Sequence, residues 1–178
     1  MKKLAFIGAG NMTRSIIAGL IADNYPADAI CASNPSTEKL DALQQAFGIN
    51  ITSSNEVCAQ DADVIILSVK PQMMLQMMRT LTATTDISEK LILSVAAGIT
   101  VETLSQLSGS KRIVRTIPNT PALLGMGLTG IFASDAVTAE EKQFVDTLMQ
   151  SIGKGLWVDK ESDIDAVTGL AGSAPAYF

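Results

Sequence analysis

The sequence predicts an α/β fold, a doubly wound Rossmann-like sheet with a parallel core, and three observations support this prediction. Short apolar runs alternate with helical stretches as far as Ile117. Runs such as Val64 to Leu67 are apolar throughout, as expected of parallel strands buried on both faces. A glycine-rich turn, Gly8 to Met12, joins the first strand to the first helix, which is the order in which such folds bind a pyrophosphate.

The elements follow from apolar periodicity and from the turn residues between the runs. The parallel strands are predicted at Leu4–Ile7, Ala29–Ser33, Ile49–Thr52, Val64–Leu67, Leu91–Val95 and Arg112–Ile117. The helices between them are predicted at 14–22, 36–47, 55–60, 71–81 and 101–107. We expect Thr37 to cap the second helix and Gly48 to end it.

After Pro118 the pattern changes to a helix flanked by added edge strands. These strands are predicted at 128–133 and 155–158, around a helix over 138–151 that starts with a Thr138–Glu141 capping box. A last helical stretch runs from Glu161 to Ala171, and Pro175 suits the start of another helix. We therefore expect a dinucleotide-binding domain over 1–160, and over 161–178 the truncated start of an all-helical C-terminal domain whose remainder is absent.

Composition excludes several functions. The net charge of −5, the lack of long basic runs and the 4% aromatic content argue against a nucleic-acid partner. The absence of histidine excludes Ser-His-Asp hydrolysis and a histidine-ligated metal, so no metal is predicted. No stretch approaches the roughly 18 apolar residues of a membrane span, so we expect a cytoplasmic protein without a membrane partner. Cys31 and Cys58 are interpreted as two reduced, inert thiols.

The glycine-rich turn is the main candidate site. Gly8 permits the tight turn out of the strand, and Gly10 lets the backbone approach the phosphates of a dinucleotide. The following helix directs its free N–H groups at the anion. Thr13 stands where the pattern usually has Gly or Ala. The alternative is a strand–helix turn that binds no ligand.

The tip of the second strand indicates which dinucleotide binds. An Asp or Glu at this position usually accepts a hydrogen bond from the ribose of NAD, and none is present between Ala32 and Thr37. Ser33, Asn34 and Ser36 are donors suited to a 2′-phosphate. NADP(H) is therefore the preferred cofactor, with NAD(H) as the alternative. The non-functional interpretation is that these are ordinary turn residues at the start of a helix.

Three further segments lie where the following strands end, at the edge where open α/β sheets bind ligands. They are Ser68-Val69-Lys70-Pro71, Val95-Ala96-Ala97-Gly98 and the loop Pro118-Asn119-Thr120-Pro121. The small residues of the second segment would let a flat ring approach closely. Asn119 in the rigid loop is suited to a small ligand beside a cofactor. Each of the first two segments is equally compatible with a plain strand–helix turn.

These motifs, in this order and spacing, resemble those of the pyrroline-5-carboxylate reductases along the whole chain. The stretches that carry the resemblance are Phe6-Ile7-Gly8-Ala9-Gly10-Asn11-Met12, Val69-Lys70-Pro71, Ala96-Ala97-Gly98, Pro118-Asn119-Thr120-Pro121, Asp165-Ala166-Val167-Thr168-Gly169-Leu170 and Gly172-Ser173-Ala174-Pro175-Ala176-Tyr177. The chain departs from the family at Thr13, and at Ala171 to Ala174, where the family usually has Ser-Gly-Ser-Gly.

The resemblance implies hydride transfer from NAD(P)H to a small-molecule imine, 1-pyrroline-5-carboxylate, giving L-proline. It places Glu161 near the substrate and implies a homodimer or higher homo-oligomer for the full-length protein. Catalytic residues are expected in the helical domain, so the chain alone should bind cofactor with little turnover. The implied cofactor-lining residues are Gly8, Ala9, Gly10, Asn11, Met12, Ser33, Asn34, Asn55, Ser68, Val69, Lys70, Pro71, Val95, Ala96 and Ala97.

Two rival interpretations remain open. The first is another imine or β-hydroxyacid reductase of the same superfamily, which would commonly use a lysine in the helical domain. The second is a dinucleotide-sensing module that binds the cofactor without turnover. Residues beyond Phe178 would distinguish the first rival, and an activity assay would distinguish the second.

Overall fold

The computed structural model describes residues 1–118 and 127–173, which form one open sheet with helices on both faces. The strands are β1 Leu4–Ile7, β2 Ile30–Ser33, β3 Asn50–Thr52, β4 Val64–Leu67, β5 Leu91–Ser94, β6 Ile113–Ile117, β7 Gly127–Ala133 and β8 Gly153–Trp157. The helices are α1 Asn11–Ala22, α2 Thr37–Phe47, α3 Asn55–Gln60, α4 Pro71–Thr84, α5 Val101–Ser108, α6 Ala139–Gln150 and α7 Glu161–Ser173, with a short 3-10 turn at Ala27–Ala29.

The sheet order is β3-β2-β1-β4-β5-β6-β7-β8. Strands β1 to β6 pair in parallel, β7 runs antiparallel to β6, and β8 is parallel to β7. The chain moves outward from β1 to β3 and then crosses back to β4, so the strand order reverses between β1 and β4. The predicted doubly wound sheet with added edge strands is confirmed, and this reversal is the point where such sheets bind ligands.

The continuous apolar runs are explained by burial on both faces of the sheet. In β1, Leu4 and Phe6 pack into one core, whereas Ala5 and Ile7 pack into the other. The side chains of β4 divide in the same way, and all four are buried. Because a core lies on each face of the sheet, both faces of β4 carry apolar side chains. The sequence of β4 therefore shows no alternation of polar and apolar residues.

Helix starts agree with the sequence where a side chain caps them. The Thr138–Glu141 capping box at α6 is present, and Gly48 ends α2 in the left-handed conformation with φ of 71°. The expectation for Thr37 was wrong, because Ser36 occupies the capping position of α2 and its side chain makes no capping hydrogen bond. Helix α1 starts at Asn11, three residues earlier than predicted, directly after the glycine-rich turn.

Helix α7 packs closely on the added edge of the sheet. A Cβ atom placed on Gly130 of β7 would lie 3.2 Å from Val167 Cγ1 and 3.3 Å from Ile164 Cγ1. The glycine therefore allows the first turns of α7 to approach the strand. The described helices include none with the length and apolar content that crossing a bilayer requires.

Candidate dinucleotide site

The turn after β1 is built around a glycine that no other residue replaces without strain. Gly8 has φ of +107°, and a Cβ atom at this position would lie 2.7 Å from the backbone oxygen of Ser68. Backbone φ angles in this region are rare for residues with a side chain. Gly8 therefore lets the turn lie directly against the end of β4, at the reversal of strand order.

The turn is also tied to the end of β2. Gly8 N donates to the Ser33 carbonyl at 2.9 Å, and Ala9 N donates to Asn34 Oδ1 at 3.2 Å. The Asn34 amide in turn donates to the Ser36 carbonyl at 3.1 Å. The ends of β1, β2 and β4 are thus held together by short-range contacts, as the sequence predicts for a ligand crevice.

Gly10 leaves open space at the start of α1. It caps the helix with φ of −80°, and no side chain in the described part of the chain provides a capping hydrogen bond. A Cβ atom built on Gly10 meets no described atom within 4 Å. The N–H groups of the first turn have no side-chain cap among the described residues, and a side chain at Gly10 would project into the open space there, which we call the cradle. This arrangement fits a pyrophosphate, because helix N-termini bind anions through such groups.

Thr13 stands where the glycine-rich pattern usually has Gly or Ala, and its hydroxyl has a hydrogen-bond partner. Its side chain is fully buried, and Oγ1 donates to the Gly8 carbonyl at 2.7 Å. The hydroxyl therefore braces the glycine-rich turn from within the first turn of α1. We conclude that the departure leaves the cradle intact.

The tip of β2 carries a polar pair and no acid. Ser33 is buried, and its hydroxyl donates to Asn55 Oδ1, at the start of α3, at 2.7 Å. Asn34 is half-buried, while Ser36 is exposed. The sequence brings Asn55 here because Ser54 caps α3 by accepting from Val57 N at 3.2 Å.

The ends of β4 and β5 complete the predicted crevice. Ser68 N continues the sheet by donating to the Ile7 carbonyl at 2.9 Å, while Ser68 Oγ is buried without a hydrogen-bond partner in the described ranges. Such buried hydroxyls usually have a partner, so this one is a candidate ligand group. Lys70 is exposed at the cap of α4, and Pro71 takes the first helical position.

The turn after β5 is held by hydrogen bonds from its backbone N–H groups. Val95 N donates to the Leu67 carbonyl at 3.1 Å, and Ala96 N donates to Ser94 Oγ at 3.1 Å. Ala96 is buried, whereas Ala97 is exposed. Asn119, predicted to lie near the substrate, falls outside the described residues.

Glu161 lies in a polar junction that the sequence did not reveal. Its Oε1 accepts from Arg115 Nη1 at 2.8 Å and from Val101 N, at the start of α5, at 2.7 Å. The Arg115 side chain is only 4% exposed, and its Nε is buried with no partner among the residues described. The feature of the sequence that could have indicated this junction is an arginine in the middle of the buried strand β6. The junction fixes α7 against α5 and β6.

Together, the parallel sheet, the glycine-rich turn and the uncapped helix at the strand reversal define a Rossmann-like dinucleotide-binding domain. The sequence agrees with this class. The chain belongs to the family described as NADP oxidoreductase, coenzyme F420-dependent, which it matches over residues 3–98.

The chain is similar to curated and solved proteins named pyrroline-5-carboxylate reductase, so the resemblance drawn from the motifs is confirmed. It is 49% identical to the protein of Vibrio alginolyticus over 99% of this chain and 65% of that protein, so it spans about two thirds of that relative. The structure of a Coxiella burnetii pyrroline-5-carboxylate reductase is 37% identical, with a TM-score of 0.94, over 99% of this chain and 66% of the other.

A structure of the Plasmodium falciparum pyrroline carboxylate reductase with NADP bound is 29% identical to this chain. Its TM-score is 0.83, and the match covers 99% of this chain and 64% of that one. Structures below 25% identity, such as a prephenate dehydrogenase of Aquifex aeolicus at 16% with a TM-score of 0.77, share the fold.

Proposed function

We propose that this chain is the cofactor-binding part of a reductase that converts 1-pyrroline-5-carboxylate to L-proline with NADPH. The observation that carries the proposal is 49% identity, over 99% of the chain, to a relative named pyrroline-5-carboxylate reductase. The uncapped helix start beside Gly10 supports the cofactor part of the proposal independently.

The residues that would hold the cofactor are those described at the reversal of strand order. The first turn of α1 binds the pyrophosphate through its N–H groups, and Gly10 keeps the approach free. Ser33 and Asn55 stand at the ribose end, while Ser68 and the β5 turn lie on the nicotinamide side. NADPH, when bound, supplies a hydride, and the chain supplies its position and surroundings.

The preference for NADPH over NADH rests on the tip of β2. No carboxylate stands there to accept from a ribose hydroxyl or to repel a 2′-phosphate. The Asn34 and Ser36 side chains are neutral and carry donors, whereas the buried Ser33 hydroxyl already donates to Asn55 Oδ1 and holds the strand tip in place. We propose that Asn34 and Ser36 receive the 2′-phosphate of NADPH, with NADH as the weaker ligand.

The substrate side is proposed to extend beyond the sheet. Residues 1–160 form the dinucleotide-binding domain, and residues 161–178 begin a helical domain that binds the small-molecule substrate and joins subunits in a homodimer or a larger homo-oligomer. Glu161 and Asn119 lie toward the substrate in this proposal. The Arg115–Glu161 junction supports it, because it fixes the start of α7 beside the strand ends.

A chimera tests the activity. The chain replaces the matching 65% of the Vibrio alginolyticus relative, and NADPH oxidation is followed with pyrroline-5-carboxylate as substrate. We expect turnover that depends on the imine and forms proline. A chimera that folds and binds NADPH but forms no proline would contradict the proposed reaction and would favour a dinucleotide-sensing module.

The cofactor preference is tested with Asn34→Asp. An aspartate retains an acceptor for Ala9 N, so the turn stays tied to β2, while the donor to the Ser36 carbonyl is lost and a negative charge is added. Repulsion of the 2′-phosphate by about 1–2 kcal/mol should shift the ratio of the NADPH and NADH dissociation constants about 5- to 30-fold toward NADH. Gln45→Glu, which adds the same charge at an exposed position of α2, should leave the ratio unchanged.

A further inference from the structure

The two cysteines of the chain line the same cavity, although 27 positions separate them in the sequence. Cys31 is in β2 and Cys58 is in α3, which covers the same face of the sheet. Cys31 packs against the apolar cluster that contains Cys58, and both side chains line one cavity. Cys58 is 4% exposed, and its thiol also approaches the Phe6 carbonyl at 3.9 Å. The fold has therefore assembled a thiol pair that sequence spacing alone does not predict.

Small molecules have a route to this pair. Both cysteines line a cavity of about 200 Å³ beside the amino-terminal ends of β1 and β2. Lys3, Asp28 and Asp61 contribute to the cavity wall. A water molecule occupies about 30 Å³ in the liquid, so the cavity has room for a small peroxide next to the half-buried Cys31.

The two sulfur atoms differ in burial, because Cys31 is half-buried and Cys58 is buried. The neighbouring Cys58 thiol lowers the pKa of Cys31 below its ordinary value, against the opposing effect of burial. The Cys31 thiol and burial both raise the pKa of Cys58. Thiolates are the form that peroxides oxidise, so Cys31 is the attacking sulfur and Cys58 remains a thiol beside it.

The pair is connected to the tip of β2. Ser33 follows Cys31 by two residues, and Asn55 precedes Cys58 by three, on the same helix. The Ser33 hydroxyl donates to Asn55 Oδ1 at 2.7 Å. Any change in the distance between Cys31 and Cys58 therefore shifts the two elements that carry Ser33 and Asn55.

We propose that Cys31 and Cys58 are a peroxide-sensitive thiol pair whose closure to a disulfide weakens dinucleotide binding at Ser33 and Asn55; this effect on binding rests on the proposed function. The Cys31 thiolate attacks one oxygen of hydrogen peroxide, forming a sulfenic acid and releasing hydroxide. The Cys58 sulfur then displaces the sulfenic oxygen as water. Overall, two thiols and one peroxide give one disulfide and two waters.

Closure must bring the two sulfur atoms to about 2.05 Å from each other. Helix α3 has six residues and starts at the Ser54 cap, so a pull on Cys58 moves its first turn as well. The Ser33–Asn55 hydrogen bond is then strained or broken. Reduction by a dithiol reverses the change, because the attacking thiol reopens the disulfide.

The test uses the full chain, treated with hydrogen peroxide and analysed by intact mass and thiol titration. We expect a monomer that has lost two hydrogen atoms and both titratable thiols, with recovery after dithiothreitol. Cys31→Ser and Cys58→Ser should each prevent the loss of two hydrogens. Cys58→Ser should instead stop at a sulfenic acid that dimedone captures. Two thiols that stay titratable, or a disulfide found only between chains, would overturn the proposal.

NADPH affinity is then measured for the reduced and the oxidised chain. We expect oxidation to weaken binding about tenfold and dithiothreitol to restore it, whereas the affinity of Cys31→Ser should be unaffected by peroxide. A disulfide that leaves the affinity unchanged would overturn the link to the cofactor site. Failure of the reduced chain to bind NADPH would contradict the proposed function and the effect of the disulfide on cofactor binding. The intact mass would still show whether the disulfide forms.

Discussion

The Gly10→Val substitution should affect cofactor binding without a comparable effect on the stability of the fold. Gly10 has φ of −80°, which valine adopts without strain, and a Cβ atom there meets no described atom within 4 Å. Losing glycine at a helix cap costs about 1 kcal/mol, while the stiffer unfolded chain restores about 0.4–1 kcal/mol. The free energy of unfolding should therefore change by no more than about 1 kcal/mol.

The effect on binding should be much larger. The valine side chain occupies the cradle in which the phosphates meet the N–H groups of α1. A hydrogen bond to a charged group contributes about 1.5–3 kcal/mol, so loss of a single such contact weakens NADPH binding about 10- to 150-fold. Calorimetric titration with NADPH measures the binding, and urea unfolding followed by circular dichroism measures the stability.

Gly8→Ala is the matched control in the same turn. Its Cβ atom would lie 2.7 Å from the Ser68 carbonyl, on a backbone with φ of +107°. The strained backbone alone costs about 1–3 kcal/mol, so this variant should lose stability as well as binding. A folded Gly10→Val chain that binds NADPH as tightly as the unmutated chain would refute the account of the cradle.

Three further predictions concern the scaffold. Gly19→Ala brings a Cβ atom into overlap with the Ser151 carbonyl oxygen, so urea unfolding should show a loss of about 1–3 kcal/mol despite the better helix propensity of alanine. Glu161→Gln should cost about 1.5–3 kcal/mol by the same measurement, because it removes the charge that neutralises the buried Arg115 guanidinium. Burial, and secondarily a nearby carboxylate, raises the pKa of Tyr25 to about 12. The tyrosine's contribution to stability is therefore full below pH 10 and is lost toward pH 12, a decline that Tyr25→Phe should reduce in melts across this range.

Sequence patterns predicted the fold well where the signal is local. The bounds of β4 and α3 agree with the prediction, because an apolar run between turn residues and a serine cap are both visible in the chain. The start of α1 was missed by three residues, since an uncapped helix after glycine has no side-chain marker. The Thr37 cap failed because several polar residues at one helix start compete for the same position.

The candidate site was only partly predictable, because its long-range contacts depend on strand order. The ends of β1, β2 and β4 were expected at one edge, and the structure joins them through Gly8, Ala9 and Asn34. Nothing local showed that Arg115 would pair with a glutamate 46 residues later. The cavity that the two thiols share likewise depends on how α3 lies over β2.

The central claim is that the glycine-rich turn and the acid-free tip of β2 form an NADPH site. Parallel fluorescence titrations of the unmutated chain with NADPH and with NADH test it most directly. The account predicts saturable binding of both, with NADPH bound more tightly. NADH binding as tight as or tighter than NADPH, or no binding of either, would contradict the claim.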